Sequence, residues 1–538
     1  MDAFRLLLTK PWLYLAIIVF GIVIKFYNLN YKLFWRDEIS SVLYVSGVKE
    51  SLTVNQIPVN EIRSVQFYDS LLDNSQKPDP LKNQVQGILS DTHLTPAHYV
   101  FLTIWYRLVG DDEIHYRFFS VFIFILSVPF MFLLAKNMAG SNLAGWIGLS
   151  LYSVSPLIHF QAQETRYYIV WVFFFILSNW LFLRAIKRNK ILWWAIYVIA
   201  SILALYTSLL SVFFIFGHLI YILLYQKALR MRFTFCLLLT VLAYLPWLYF
   251  LFTEREAISE GMSWHVYDHA SVFSLEYIFF QLLGWVRAFI YLVDWELYFQ
   301  LFSGTLIPGL LVGLLVDIIV LCFIFYAIWY LATKSPKKTK RVLILIILPL
   351  FLFFYISDTI RNGLTSLVWG YQIVNMVGII LVVTILLTDK ISKGKLLFFG
   401  FYLGLIIMGI STILKIAEKR CWNATPDCPS VIEIAQVISQ SSKPLIITDF
   451  GGIDGYGFMN FLAILNESRS ENADIMYCKG AIPEMKVKTK EKEYSEVYVI
   501  QSSDEFVQNL KSILGGDMVL YRKLDDAVFS HKIWKIEQ

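Results

Sequence analysis

Of the 538 residues, 57% are hydrophobic, 17% aromatic and 16% charged, where a soluble globular domain carries roughly a quarter charged residues. A mean hydropathy of +0.59 excludes an ordinary soluble protein. The net charge of +5 is no nucleic-acid footprint, because the Lys and Arg residues fall in short runs between apolar segments instead of gathering on one face.

The first apolar run, from Trp12 to about Leu29, is too long for a signal-peptide core and lacks a small-residue cleavage site. It predicts a retained membrane helix. Four basic loops, at 184–190, 226–232, 334–341 and 389–395, are placed on the cytoplasmic side, where Lys and Arg collect. Counting from them predicts about eleven spans: the first run, then 118–135, 143–160, 168–183, 191–207, 209–226, 233–252, 306–330, 342–357, 370–388 and 396–414. The amino end is then cytoplasmic and the carboxyl end extracytoplasmic, in a plasma (inner) membrane. Both ends of 94–110 fall on the outer face, so this segment reads as a helix lying at the interface. The same parity places 275–299 there.

From about Lys415 the composition changes. The stretches 443–450 and 495–501 read as short buried strands, and 429–439 and 503–514 as amphipathic helices. The expected fold class is therefore a polytopic α-helical membrane protein. Residues 1–414 form the membrane domain, with a large outer loop at 30–117, and 415–538 form a small outer α/β domain. Cys236 and Cys322 lie in apolar runs. Cys421, Cys428 and Cys478 lie in the tail, where one disulfide leaves an odd thiol. Asn423 and Asn466 match a glycosylation triplet that is common by chance.

Polar residues collect in two outer places. The loop holds Arg36, Asp37, Glu38, Asp91, His93, Asp111, Asp112, Glu113 and Arg117; a second group holds Gln161, Gln163, Glu164, Arg166, Tyr167 and Tyr168. An ionisable group costs roughly 2.5–3.5 kcal/mol near a bilayer centre and less at the edge, so such groups need a partner or a task. Plainer roles exist for each. Asp37 suits a helix cap, since Ile39, Val42 and Leu43 follow at helical spacing. Residues 111–113 suit a solvated loop. His98 suits a hydrogen-bonded interface residue, as no second His or Cys stands at metal-ligand spacing. Glu164 and Arg166, two apart, would face different ways on a helix, with Glu164 sharing a face with Tyr167 and Tyr168.

Three stretches carry a resemblance: "FWRDEISSV", "LTPAHYVFLTIWYRLVGDDEIHYRFFS" and "SVSPLIHFQAQETRYYIV". In order and spacing they resemble the GT-C class of membrane glycosyltransferases, the superfamily of protein O-mannosyltransferases and of the aminoarabinose transferases that modify lipid A. The likeness covers about the first two hundred residues. It implies transfer of a sugar from a polyprenyl-phosphate donor to a lipid, glycan or protein acceptor at the outer face of the bilayer. It implies no nucleic acid partner. Asp37 would match the family's catalytic carboxylate, supported by Glu38. Arg117 and Arg166 would suit the carrier phosphate. Glu164 would orient sugar, acceptor or a divalent cation such as Mg or Mn, and His93, Gln163, Tyr167 and Tyr168 would complete the substrate site. The family's Pro-Leu-Tyr-Tyr reads here as Pro96-Ala97-His98-Tyr99, and its late Arg-Tyr as Gly370-Tyr371, with Arg361 as the substitute. Two other readings compete: a transporter or flippase of a lipid-linked glycan, and a receptor-like protein whose tail binds a partner. Against the first, the spans show no internal repeat and only Asp317 stands clearly in mid-membrane.

Overall fold

The computed structural model describes residues 10–46, 57–72, 82, 85, 88, 96–110, 112–253, 272–291, 308–361, 363–421, 428–450, 456–479, 494–514, 518–525 and 530–536. Asp91, His93 and Asp111 lie outside the described residues. The helices of the first third are α1 (Pro11–Val23), α2 (Arg36–Val45), α3 (Val65–Leu72), α4 (Ala97–Val109), α5 (Glu113–Ala139), α6 (Asn142–Ser153) and α7 (Pro156–Gln163). There follow α8 (Tyr168–Arg188), α9 (Ile191–Thr207), α10 (Ser211–Tyr225), α11 (Arg230–Thr253), α12 (Leu275–Val286), α13 (Pro308–Thr333) and α14 (Lys337–Arg361). The last are α15 (Trp369–Ser392), α16 (Leu396–Ala417), α17 (Cys428–Ser439), α18 (Tyr456–Ser468) and α19 (Asp504–Leu514).

The chain divides into two compact units. One comprises Met1–Leu29, Thr92–Phe101 and Tyr116–Glu418; the other comprises Asn30–Asp91, Leu102–His115 and Lys419–Gln538. Among the described residues, seven helices of the first unit are long and apolar enough to cross a membrane, or eight if the bent pair α6–α7 is one span. The protein is thus a multi-pass helical membrane protein. Among the described residues the most enclosed span is α15, with 94% of its most apolar stretch buried; α6, α8, α13, α14 and α16 pack against it. Tight connections follow from local chemistry. Asn189 takes the left-handed conformation (φ 48°) that ends α8, and α9 begins two residues later.

The second unit is built on a six-stranded sheet in the order β1-β3-β2-β4-β6-β5. Its strands are β1 (Ile62–Ser64), β2 (Pro444–Thr448), β3 (Asp474–Tyr477), β4 (Glu496–Val499), β5 (Met518–Asp525) and β6 (Ser530–Ile536). The three central strands are parallel, and β2 is buried throughout, which explains its unbroken apolar run. Leu445, Ile447, Val497 and Val499 point from one face into a core shared with Phe506, Val507 and Leu510 of α19. α18 packs against α17, α2 and α3, and Phe461 of α18 meets Tyr68 of α3 edge-on at 5.9 Å. β1 comes from the segment 30–91 and pairs with β3 in antiparallel register, Ile62 opposite Met476. Loop 30–91 and the tail therefore share one sheet and one core.

Cys421 and Cys428 form a disulfide, with Cα atoms 5.6 Å apart. Cys478 is the odd thiol. Burial, and secondly Asp449, push its ionisation up to about 12, which disfavours the thiolate.

Candidate active site

The run 143–160 is not one straight span. α6 and α7 meet at a 60° bend. The cause is local: Pro156 opens α7 at its first position, and Ser155 caps it, its hydroxyl accepting from the Ile158 amide at 3.5 Å. Proline lacks the N–H that would continue α6 and forces the residue before it out of the helical region. α7 then ends at Gln163. Glu164 is extended (φ −106°, ψ 138°), and α8 starts only at Tyr168. Residues 164–167 form a turn, so the helical-face relation expected between Glu164, Tyr167 and Tyr168 does not exist. The Arg166 amide donates back to the Glu164 carbonyl at 2.9 Å.

Arg117, Gln163 and Glu164 meet around the end of the first apolar helix. Arg117 is fully buried, and its Nη1 donates to the Leu29 carbonyl at 2.9 Å. Gln163, also fully buried, donates from Nε2 to the carbonyls of Lys25 (2.9 Å) and Tyr27 (3.0 Å). Ser120, one turn beyond Arg117 on α5, donates its hydroxyl to the Glu164 carbonyl at 2.6 Å. Arg117 and Gln163 thus hold the backbone of 25–29. The sequence reading missed Ser120, and it missed Lys25, whose signal was plain: a lysine inside an apolar run.

The Arg166 guanidinium lies over the Tyr168 ring at 5.6 Å. Tyr168 in turn approaches Tyr371 of α15 at 6.3 Å. A Cβ at Gly370 would stand 2.3 Å from the Tyr168 ring, so glycine leaves the tyrosine its room. Arg361 is the exposed last residue of α14, not part of a loop. Arg287, which the sequence reading passed over, is buried and stacks on Trp369 at 3.5 Å. Asp358, also passed over, is fully buried; it accepts from the Tyr277 hydroxyl (3.0 Å) and from the Thr365 and Ser366 amides (3.0 and 2.8 Å), fixing the turn into α15.

His98, in the first turn of α4, is not the hydrogen-bonded interface residue expected. It is fully buried between Tyr99 and Phe119, with ring centroids at 5.1 and 5.8 Å, and neither ring nitrogen has a hydrogen-bond partner. Each unmet group costs about 1–3 kcal/mol. Burial, and secondly Arg166, hold the imidazole neutral down to about pH 3. The unfolded chain protonates this histidine near 6.5, so acidification from 6.5 towards 3 favours unfolding, while above 6.5 the group contributes no pH dependence. His98→Phe removes that term: thermal melts at pH 7.5 and 5 should show the variant losing about 2 kcal/mol less than the parent on acidification.

Asp37 and Glu38 belong to the second unit. They occupy the first turn of α2, whose N-cap is Trp35 with no side-chain cap bond. Asp37 does not cap the helix. Its side chain is 27% exposed and stands 3.4 Å from the Arg36 Nε, while Glu38 is fully buried. The rest of α2, Ile39 to Val45, is buried. The acidic pair is therefore split into one partly exposed carboxylate and one enclosed in packing. Among the described residues no three His, Cys, Asp or Glu side chains come together to hold a metal ion.

This architecture defines a class: a polytopic helical membrane protein with a compact α/β unit fed by both the segment that follows the first apolar helix and the tail. Comparison with solved structures places it. ArnT from Cupriavidus metallidurans bound to undecaprenyl phosphate superposes with a TM-score of 0.52 at 13% identity, over 97% of this chain and 98% of that one. The chain has that fold. The apo state of the same protein (TM-score 0.41, 14% identity, 97% of each chain) is more loosely superposed. So is the Archaeoglobus fulgidus oligosaccharyltransferase tethered with an acceptor peptide (TM-score 0.42, 12% identity, 94% of this chain and 71% of that one). By sequence, residues 93–250 match the family model described as dolichyl-phosphate-mannose-protein mannosyltransferase. Comparison with curated proteins finds no match. The chain resembles the GT-C class of membrane glycosyltransferases, as its three motif stretches imply.

Proposed function

We propose that this protein is a glycosyltransferase that moves a sugar from a polyprenyl-phosphate-linked donor to a lipid, glycan or protein acceptor on the outer face of the membrane. The observation that carries the reading is the split acidic pair: an accessible Asp37 beside an enclosed Glu38, in the first helix after the first apolar helix, on a fold shared with an enzyme crystallised with undecaprenyl phosphate.

The reaction is an inverting single displacement. The acceptor hydroxyl attacks the anomeric carbon, and Asp37 takes its proton. The bond from that carbon to the carrier phosphate breaks, and the polyprenyl phosphate leaves with the electron pair. Arg166 pairs with the phosphate oxygens through its planar fork. Glu38 supports the helix turn that presents Asp37, Arg117 and Gln163 hold the backbone of 25–29, and Glu164, Tyr167 and Tyr168 line the donor's side. His93 and Arg361 remain candidates for substrate contact.

Counting the bent pair and the shorter helices α1, α9 and α10 as spans gives eleven. With basic loops inside, the amino end is cytoplasmic and the 415–538 α/β region extracytoplasmic, in the plasma (inner) membrane. A charged site at that boundary reaches both a lipid-borne donor and a water-borne acceptor.

Arg166→Lys tests the phosphate assignment. It keeps the charge but loses the bidentate fork. Binding of polyprenyl phosphate, followed by titration into detergent-solubilised protein, should weaken by about tenfold. Unchanged affinity would remove Arg166 from the site.

A further inference from the structure

We propose that Lys25 is a positioning residue that holds the bend Pro156 opens between α6 and α7, and with it the placement of Gln163, Glu164 and Arg166. The proposal rests on reading those residues as the donor side of the site.

Lys25 sits in the short 3₁₀ turn that prolongs α1 and is fully buried. An ionisable side chain within an apolar membrane helix is rare, and where it occurs it serves a partner. Here the partner is backbone. The Lys25 amine donates to the Ser153 carbonyl at 3.0 Å and lies 5.0 Å over the Phe124 ring. Among the described residues no carboxylate pairs with it. Ser153 is the last residue of α6. Its carbonyl faces the break where Pro156 interrupts the helical ladder, one of the end carbonyls that a helix leaves without an internal donor.

Two further contacts make this a clasp. One turn earlier, Gly21 lets the chains close: a Cβ there would stand 2.7 Å from the Ser153 Cβ and 2.8 Å from its carbonyl oxygen. At the other end of α7, Gln163 donates to the carbonyl of Lys25 itself. One residue therefore touches both flanks of α7, its amine at the residue that ends α6 and its carbonyl at the last residue of α7. From the opposite side Gly409 of α16 admits the Val154 carbonyl, which a Cβ would meet at 2.6 Å. The break is gripped from two sides, and Lys25 is the grip that continues to the proposed donor side.

A lysine present only to fill space would not be needed, because an apolar side chain of similar length fills it; what that side chain lacks is a donor for the Ser153 carbonyl. Lys25→Met separates the two roles. Spin labels at Asn142 and Phe160, one on each helix, report the bend by electron–electron distance measurement. Melting temperature and donor KM are read on the same full-length protein. The expected result is a cooperative melt that shows the variant folded, a shifted or broadened label distance, and a donor KM raised on the order of ten- to a hundredfold with kcat little changed. Lys25→Gln keeps an N–H donor and should recover part of both. If Lys25→Met does not fold, Lys25→Gln carries the test, with smaller shifts in the same two readings. An unchanged label distance overturns the proposal, as does a changed distance with donor KM unaltered. If the parent protein uses no polyprenyl-phosphate sugar, the failure belongs to the donor reading, and the distance measurement still decides the role of Lys25.

Discussion

Asp37→Asn should lower transfer by about a hundred- to ten-thousandfold, the range a positioned general base contributes, while folding and donor binding persist. Asparagine keeps the size and most of the hydrogen bonding but cannot take the acceptor's proton. Loss of a cap would not explain such a result. Trp35 occupies the N-cap position without a side-chain bond, and Asn caps a helix about as well as Asp in any case. Loss of the Arg36 ion pair would not explain it either. Both partners are partly exposed at 3.4 Å, and an exposed pair is worth about 0–1 kcal/mol. A first-turn carboxylate adds about 0.3–1 kcal/mol through the helix dipole, so neither the pair nor the dipole accounts for a loss of activity on that scale. Steady-state transfer and donor binding measured on one preparation separate these effects. An Asp37→Asn protein with near-parental activity would end the catalytic assignment.

Phe461→Ala should lower the stability of the second unit by about 3–5 kcal/mol, the cost of emptying a fully buried phenylalanine. Phe461 stacks edge-on against Tyr68 and lies 5.2 Å from Phe450, so the residues it supports come from both the outer loop and the tail. Because α2 packs on α18 and β1 completes the sheet, the destabilisation should not stay in the tail. Amide exchange in residues 36–45 should accelerate together with that in 456–468, and transfer should fall with it. Faster exchange confined to the tail, with α2 still protected, would show that the acidic helix is held by something other than this unit.

Those two variants touch opposite limits of what the sequence discloses. The span-forming helices were legible because apolar runs and basic loops are local signals: 191–207 is recovered residue for residue as α9, and 396–414 as α16 with three further residues. The strands at 444–448 and 496–499 were legible for the same reason. β1 was not. Three residues of a polar loop, Ile62 to Ser64, have no strand signature of their own and become one by pairing with a partner more than four hundred positions away. That pairing joins the outer loop to the tail, a relation no periodicity carries. The bend at Pro156 had a sequence signal in Ser155-Pro156 that the apolar length of 143–160 outweighed. Within the candidate site, residue types were legible but their partners were not. Arg117 and Gln163 grip main-chain carbonyls, and His98 is enclosed without a hydrogen bond; burial and partner choice depend on packing between elements far apart in the chain.

The most direct test of the account is to incubate the purified protein with a panel of polyprenyl-phosphate sugars, with acceptor lipids, glycans and peptides supplied, and to follow release of the free carrier phosphate. The account predicts release from at least one polyprenyl-phosphate sugar, dependent on acceptor and abolished or nearly so in Asp37→Asn. Release from none of the panel, by protein that is folded and binds polyprenyl phosphate, would contradict it.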